Sequence, residues 1–308
     1  MPGPLRVVSL LPSATEIVCA LGAAEELVGV SHECDFPEHV RGLPVVTGSR
    51  VEDTGSSRGI DDAVRAVVES ALSVYAVDDA LLGSLAPDLV ITQDLCEVCA
   101  VSLDDVRAAV ARLAQGDDVR IVSLRPTRLG DIFEDVVRVA DALDRRAAGE
   151  ELHVNLRARM ETITHRASTS ATRPRVASLE WIDPIMLGGT WMPEVIEAAG
   201  GMAIGSVAGG PAPTVTPETL AALHPDVVVI KACGFSLERT LRELDALERD
   251  ALGQLPSTTR VYATDGNAFF NRPGPRIVES IEIMASCVHP VVFSDFAERH
   301  AAVVERLR

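Results

Sequence analysis

Two stretches of this chain occur twice, and that repetition constrains its fold more than any other feature. Arg6-Val-Val-Ser-Leu10 returns as Arg175-Val-Ala-Ser-Leu179. Leu82–Thr92, LGSLAPDLVIT, returns as Leu220–Lys231, LAALHPDVVVIK. Each longer copy reads as a short helix, a Pro-Asp corner and an apolar strand. Apolar strands that alternate with helices form parallel sheets covered on both faces. The expected class is therefore α/β, with two similar lobes and mainly parallel sheets. A length of 308 residues is enough for two such domains.

The stretch Arg145–Arg166 is expected to join the lobes as one helix. Its apolar residues Leu152, Leu156, Met160 and Ile163 share one helical face. An earlier stripe, Ile132, Val136, Val139 and Leu143, lies about 900° away at ~100° per residue, on the opposite side. One straight helix would have to change its buried face midway. A break is expected near Asp144–Gly149, where Gly149 lowers helix propensity; a single kinked helix is the alternative. The domains are then 1–144 for an N-terminal lobe, 145–168 for the connecting helix and 169–308 for a C-terminal lobe.

Along the chain, Arg6–Leu10 reads as a strand and Ser13 as the cap of a helix, with Glu16 completing a capping box. Val51–Gly59 reads as a mobile loop, Ile60–Leu72 as helix, and Ser102 as the cap of a helix to Gln115. The strands deliver loops at His32–Phe36, Gln93–Cys99, Trp181–Pro184 and Asp265–Phe270. In parallel sheets, ligands meet the loops at the carboxyl ends of strands. Junctions between lobes are preferred ligand sites.

The net charge of −17 argues against a nucleic-acid partner or an anionic membrane surface, both of which need a basic face. No apolar run reaches the length of a membrane span. Pro12, Ser13 and Glu16 interrupt the first apolar run, so a signal peptide is not expected and the location reads as cytoplasmic. It would be extracytoplasmic if the N-terminus had been trimmed.

The chemical residues fall into two groups. In the first lobe, His32 and Cys34 follow one strand and Cys96 and Cys99 follow another. Together they would make a soft-metal set for zinc or iron. Cys96 and Cys99 read equally as a redox pair or as packing. Cys19, Cys233 and Cys287 read as core. In the second lobe, Trp181, Trp191, Phe269 and Phe270 hold both tryptophans and two of the seven phenylalanines. They could stack on a flat ligand or pack their own rim. Asp183 and Asp265 could accept ligand hydrogen bonds or serve turns. The six other histidines, His289 and His300 among them, are placed on helices or surface turns without a role. Catalytic signatures such as GxSxG, a P-loop, HExxH or a Rossmann glycine motif are missing from the sequence, so no enzyme activity is expected.

RVVSLLPSATEIVCALG, LVGVSHECDFP, APDLVIT, HPDVVVI and VYATDGNAFFNRPGPRIVESIEIMA together resemble the substrate-binding proteins of cobalamin and iron-siderophore ABC importers, the helical backbone metal receptor group. The cobalamin branch looks most similar. The resemblance covers nearly the whole chain. It implies the class III substrate-binding fold, a rigid connecting helix and a ligand clamped between lobes. It places His32, Cys34, Asp35, Phe36, Asp94, Trp181, Asp183, Trp191, Asp265, Asn267, Phe269 and Phe270 toward that ligand. It also implies docking on an ABC permease through an acidic residue on each lobe, seven residues before the Pro of the Pro-Asp motif. Glu218 occupies that place in the second lobe. In the first lobe Ala80 occupies it, with Asp79 beside it.

The resulting expectation is a non-catalytic binder of a corrinoid in the interlobe cleft. It would serve an ABC importer or act as a cytosolic carrier or sensor derived from one. The alternatives are a zinc or iron protein built on the His/Cys set, and haem or a ferric siderophore in the same cleft.

Overall fold

The computed structural model of the protein describes residues 4–51, 55–69, 75–93 and 119–308. Its contacts divide into two compact units. Unit one comprises Met1–Thr54, Asp62–Pro126 and Asp131–Asn155, and unit two comprises Gly55–Asp61, Thr127–Gly130 and Leu156–Arg308.

Unit one contains β1 (Val7–Ser9), β2 (Leu27–Val30), β3 (Thr47–Ser49), β4 (Tyr75–Val77), β5 (Leu89–Gln93) and β6 (Arg120–Leu124). Strands β2-β1-β5-β6 form an all-parallel sheet, and β3 and β4 form an antiparallel ribbon. Unit two contains β7 (Arg175–Trp181), β8 (Met186–Leu187), β9 (Met202–Ala203), β10 (Val227–Ile230), β11 (Arg260–Thr264) and β12 (Val304–Arg306). Its order is β12-β11-β10-β7-β8, with β9 beside β7. The central β7, β10 and β11 are parallel, and β8 and β12 are antiparallel. The chain thus adopts the expected α/β class with mainly parallel sheets.

The apolar runs are buried because helices cover these strands. Val227–Ile230 are all 0% exposed, and Leu244 and Leu247 of the helix Leu237–Asp250 share a core cluster with Val228 and Ile230. In unit one, Val8, Leu10 and Val90 pack with Val46 and Leu82.

The sequence repeat becomes a repeated latch. In unit one, Asp88 accepts the Arg6 backbone N–H at 2.8 Å, and Arg6 Nε donates to the Leu85 carbonyl at 2.9 Å. In unit two, Asp226 accepts the Arg175 N–H at 2.8 Å, and Arg175 Nε donates to the His224 carbonyl at 3.2 Å. The preceding helices, Asp79–Leu85 and Pro217–Ala222, are capped by Asp78 and Thr216 through the N–H groups of Leu81 and Thr219. Left-handed Ala86 (φ 40°) and His224 (φ 46°) lead out of them into Pro-Asp. The repeat therefore encodes a capped helix, a sharp exit and a strand pinned by its own aspartate.

The two helical stripes lie on two helices, Leu129–Ala142 and Arg146–Ala167. Asp144 makes the break at φ 56°, and Arg145 N–H bonds the Ala140 carbonyl at 2.8 Å, a Schellman closure. The 22-residue second helix is about 33 Å long at ~1.5 Å per residue. Gly149 is not the breaker. A Cβ there would lie 2.3 Å from the Ala140 Cβ, so the glycine permits close packing of the two helices.

Three local expectations are corrected. Ser13 sits inside the helix Pro12–Ala20, whose cap is Leu11 without a side-chain bond, because Pro12 opens the helix one residue early. The helix expected to begin at Ile60 begins at Ser57, so Ser57–Gly59 are helical rather than loop, and its described part is Ser57–Glu69. The short strands β4, β8, β9 and β12 lack the long apolar runs that would announce them. The helix expected after Ser102 lies outside the described residues.

Candidate functional site

At the carboxyl end of the unit-two sheet, Lys231 leaves β10 fully enclosed, at 0% exposure. Its ammonium donates to Glu180 Oε2 at 3.2 Å and to Asn271 Oδ1 at 3.0 Å. Glu180 Oε2 also accepts the Gly189 N–H at 3.2 Å. Asn271 Nδ2 donates to the carbonyls of Lys231 and Gly266 at 3.2 and 2.7 Å. A buried ammonium is costly unless paired and hydrogen-bonded, and this network supplies both. A side chain at Gly266 would meet the Ala232 carbonyl at 2.1 Å, so the loop can lie against the strand end only as glycine. The network ties the end of β7 to the loops after β8, β10 and β11.

The unit-two residues expected to face a ligand separate into different environments. Trp191 is 6% exposed and Phe270 0%. Trp191 Nε1 donates to the Phe270 carbonyl at 2.9 Å, and the Phe270 N–H bonds Ser280 Oγ at 2.9 Å. Both are buried in the core, as in the packing alternative that the sequence left open. Trp181 packs on Phe235 with ring centroids 5.1 Å apart and donates to the Asp183 carbonyl at 3.1 Å. Phe269 lies between Arg276 and the edge of His300. Asp265 performs a turn service, its Oδ1 accepting the N–H groups of Asn267 and Ala268 at 3.0 and 2.7 Å. Asn267 accepts from Arg272 at 3.2 Å. Asp183 is held by the Arg58 guanidinium.

Asp183 and Glu218, expected to serve ligand and partner separately, line one open depression of about 680 Å³ with Arg58, Ile185, Thr216 and Leu247. Glu218 is exposed. Its carboxyl is held below the usual range by its own backbone N–H and by Thr216. In unit one, Asp79 opens the helix that Asp78 caps.

The loop after β2 carries His32, Cys34, Asp35 and Phe36. His32 Nδ1 lies 2.7 Å from Thr47 Oγ1. Its Nε2 is shut off from solvent, 3.4 Å from Glu33 but without a hydrogen bond. Burial lowers the imidazole pKa, and the Glu33 charge opposes that shift. Cys34 is 6% exposed, its sulfur 3.1 Å from Thr15 Oγ1. The Asp35 carbonyl accepts from Arg41 at 3.1 Å. Phe36 stands out at 43% exposure. Among the described residues, no three His, Cys, Asp or Glu side chains are grouped to hold a metal ion. Asp94, Cys96 and Cys99 lie outside the described residues. Cys287 is buried as expected, whereas Cys233 is exposed and Cys19 half-buried. Cys233 sits in a turn past the end of β10, beyond the sheet that would have covered it.

His289 and His300 are also buried rather than superficial, at 5% and 8% exposure. His300 joins Arg159 and Arg299 around Glu282 at 2.8, 3.1 and 3.0 Å. Burial alone would raise the Glu282 pKa, but the hydrogen bonds from His300, Arg159 and Arg299 bring it down to about 2.

Sequence reasoning missed Glu180, Lys231 and Asn271. The available signal was a lysine closing an all-apolar strand and a glutamate near the end of another, both at the sheet edge where ligands bind.

The chain matches the family description "Periplasmic binding protein" over residues 7–266. It is 22% identical over 304 residues to an uncharacterized ABC transporter substrate-binding lipoprotein of Bacillus subtilis, covering 95% of this chain and 82% of that one. It is 27% identical over 297 residues to a cobalamin-binding protein of Halobacterium salinarum, covering 93% and 70%. A solved periplasmic heme binding protein from Pseudomonas aeruginosa superposes with a TM-score of 0.70 at 20% identity, covering 94% of each chain. The fold is the class III substrate-binding fold. With the match spanning well over half of its length, this chain belongs to the periplasmic binding protein family.

Proposed function

We propose that the protein is a non-catalytic binder of a corrinoid, cobalamin or a close relative, and serves an ABC importer as its substrate-binding component. The observation that carries this reading is the similarity to the cobalamin-binding protein of Halobacterium salinarum along 93% of the chain. The loops support it chemically. Phe36 offers an exposed apolar face, and Glu180 offers an acceptor for the amide hydrogens at a corrin edge. Trp181 and Phe269, both partly buried, would border the ligand. His32 would reach the cobalt only if its Nε2, now shut off from solvent, became accessible. Permease docking through Glu218 and Asp79 belongs to the same reading. The periplasmic family and the lipoprotein relative favour an extracytoplasmic location over the cytoplasmic one expected from the N-terminus. Among the described residues, no helix is long and apolar enough to cross a membrane.

Haem is the second reading, favoured by the structural likeness to a heme binding protein, which speaks for the fold alone at 20% identity. Absorbance titration of the reduced protein with hydroxocobalamin, with haem in parallel, separates the two. Saturable one-to-one uptake of cobalamin is expected, and uptake of haem alone would replace the corrinoid reading. Zinc or iron retained through purification without either ligand would support the His32, Cys34, Cys96 and Cys99 set instead.

A further inference from the structure

Resting on the corrinoid reading, we propose that Glu180 is a specificity residue that selects a ligand edge bearing primary amides and rejects one bearing carboxylates. Glu180 is the penultimate residue of β7, its side chain 25% exposed. Both of its hydrogen bonds go to one oxygen: Oε2 accepts from Gly189 N–H and from Lys231 Nζ, each at 3.2 Å. Among the described residues, Oε1 accepts none. One oxygen is thus anchored, and the other is presented in a fixed direction.

The groups behind Glu180 cannot reverse this preference. Lys231 is 0% exposed and already bonded to Glu180 and Asn271, so its charge stays inside. The pair is a dipole with its negative end outward. Asn271 has spent both amide hydrogens on the carbonyls of Lys231 and Gly266. Its oxygen is spent on Lys231. The ammonium is enclosed and the Asn271 amide is fully used, so neither presents a donor beside Oε1. An amide N–H₂ or a hydroxyl that meets Oε1 gains a charge-assisted hydrogen bond. A carboxylate in the same place meets a like charge and loses its water without a donor to replace it, which is how a site rejects a competitor. Corrinoids carry primary amides around the ring, and haem carries two propionates, so the same oxygen sorts the two ligand classes.

The test compares hydroxocobalamin with its monocarboxylic acids, in which one peripheral amide has been hydrolysed, by calorimetry on the whole chain. Wild-type protein is expected to bind at least one monoacid tenfold or more weakly than cobalamin. Glu180→Gln, whose amide can donate to the carboxylate, is expected to narrow that gap below threefold. The double variant Glu180→Gln/Lys231→Met removes both charges of the pair and is expected to narrow it likewise. Equal wild-type affinity for cobalamin and every monoacid overturns the proposal whatever the stability of the variants. So does a gap that survives both substitutions, and in either case the corrinoid reading stands. Failure of wild-type protein to bind hydroxocobalamin at all removes the corrinoid reading and this inference together.

Discussion

The two units share a latch and differ where their sheets end. Asp88 and Asp226 each accept a strand-leading arginine N–H at 2.8 Å, so the duplicated sequence is scaffold. Among the described residues at the carboxyl end of the unit-one sheet, the buried side-chain contacts include a set of hydroxyls. Thr15 Oγ1 donates to Ser9 Oγ at 2.8 Å, and Thr47 Oγ1 donates to Ser31 Oγ at 3.1 Å, with Cys34 and His32 against them. At the unit-two end the groups are ions, Lys231 against Glu180. Repetition preserved what a parallel strand needs in order to be pinned. Divergence fell on the carboxyl ends of the sheets, the rim on which the proposed ligand contacts lie.

Glu180→Ala should break the comparison most sharply. It leaves the Lys231 ammonium buried without its counter-charge, a change that costs about 3–5 kcal/mol. Thr15→Val in unit one removes only neutral hydrogen bonds and should cost about 1 kcal/mol. Urea unfolding measures both, and equal losses would refute the contrast between the buried Lys231–Glu180 pair and the Thr15 hydroxyl contacts.

The aromatics divide the same way. Phe270→Ala empties a fully buried site and should cost about 3–5 kcal/mol. Phe36→Ala, at a 43% exposed position, should change stability by less than about 0.5 kcal/mol and weaken cobalamin binding. A large stability loss at Phe36, or unchanged ligand affinity, would remove it from the proposed rim.

Acidification should act on the units with opposite sign. Glu282 in unit two has its pKa held down to about 2. Its contribution is complete above the unfolded value of about 4.3 and is lost as pH falls toward 2. Asp135 in unit one is 1% exposed, and burial pushes its pKa up to about 7 against the pull of Arg138. Stability linked to Asp135 is complete below about 4 and is lost as pH rises through 7. Hydrogen exchange from pH 8 to 5 should therefore show the helix Leu129–Ala142 gaining protection. The helix Ile277–Val288 should stay unchanged over that range. Asp135→Asn should abolish the gain, and a gain that persists would exclude Asp135 as its source.

The smallest effect tests the shared element. Asp88→Ala and Asp226→Ala each remove an exposed carboxylate from a backbone N–H and should each cost about 1 kcal/mol. Clearly unequal costs would mean that the latches are alike in geometry only.

The shared element was also the legible one. Pro-Asp before an apolar strand is a local signal, and both copies fold as the sequence implies. The stripes Ile132–Leu143 and Leu152–Ile163 were legible for the same reason, since periodicity within a helix is local. Gly149 was misread because its role is a contact with Ala140, which no propensity records. For Trp191 and Phe270 the sequence left stacking and packing open, because a glycine-rich loop can fold inward as readily as outward. Lys231 passed unnoticed because its partners, Glu180 and Asn271, are 51 and 40 residues away.

The corrinoid reading meets its most direct test in competition dialysis, with the protein offered equal concentrations of hydroxocobalamin and haem. The account predicts that cobalamin is retained one-to-one with micromolar or tighter affinity, at least ~8 kcal/mol, while haem stays in the bath. Retention of haem with cobalamin left free would contradict it.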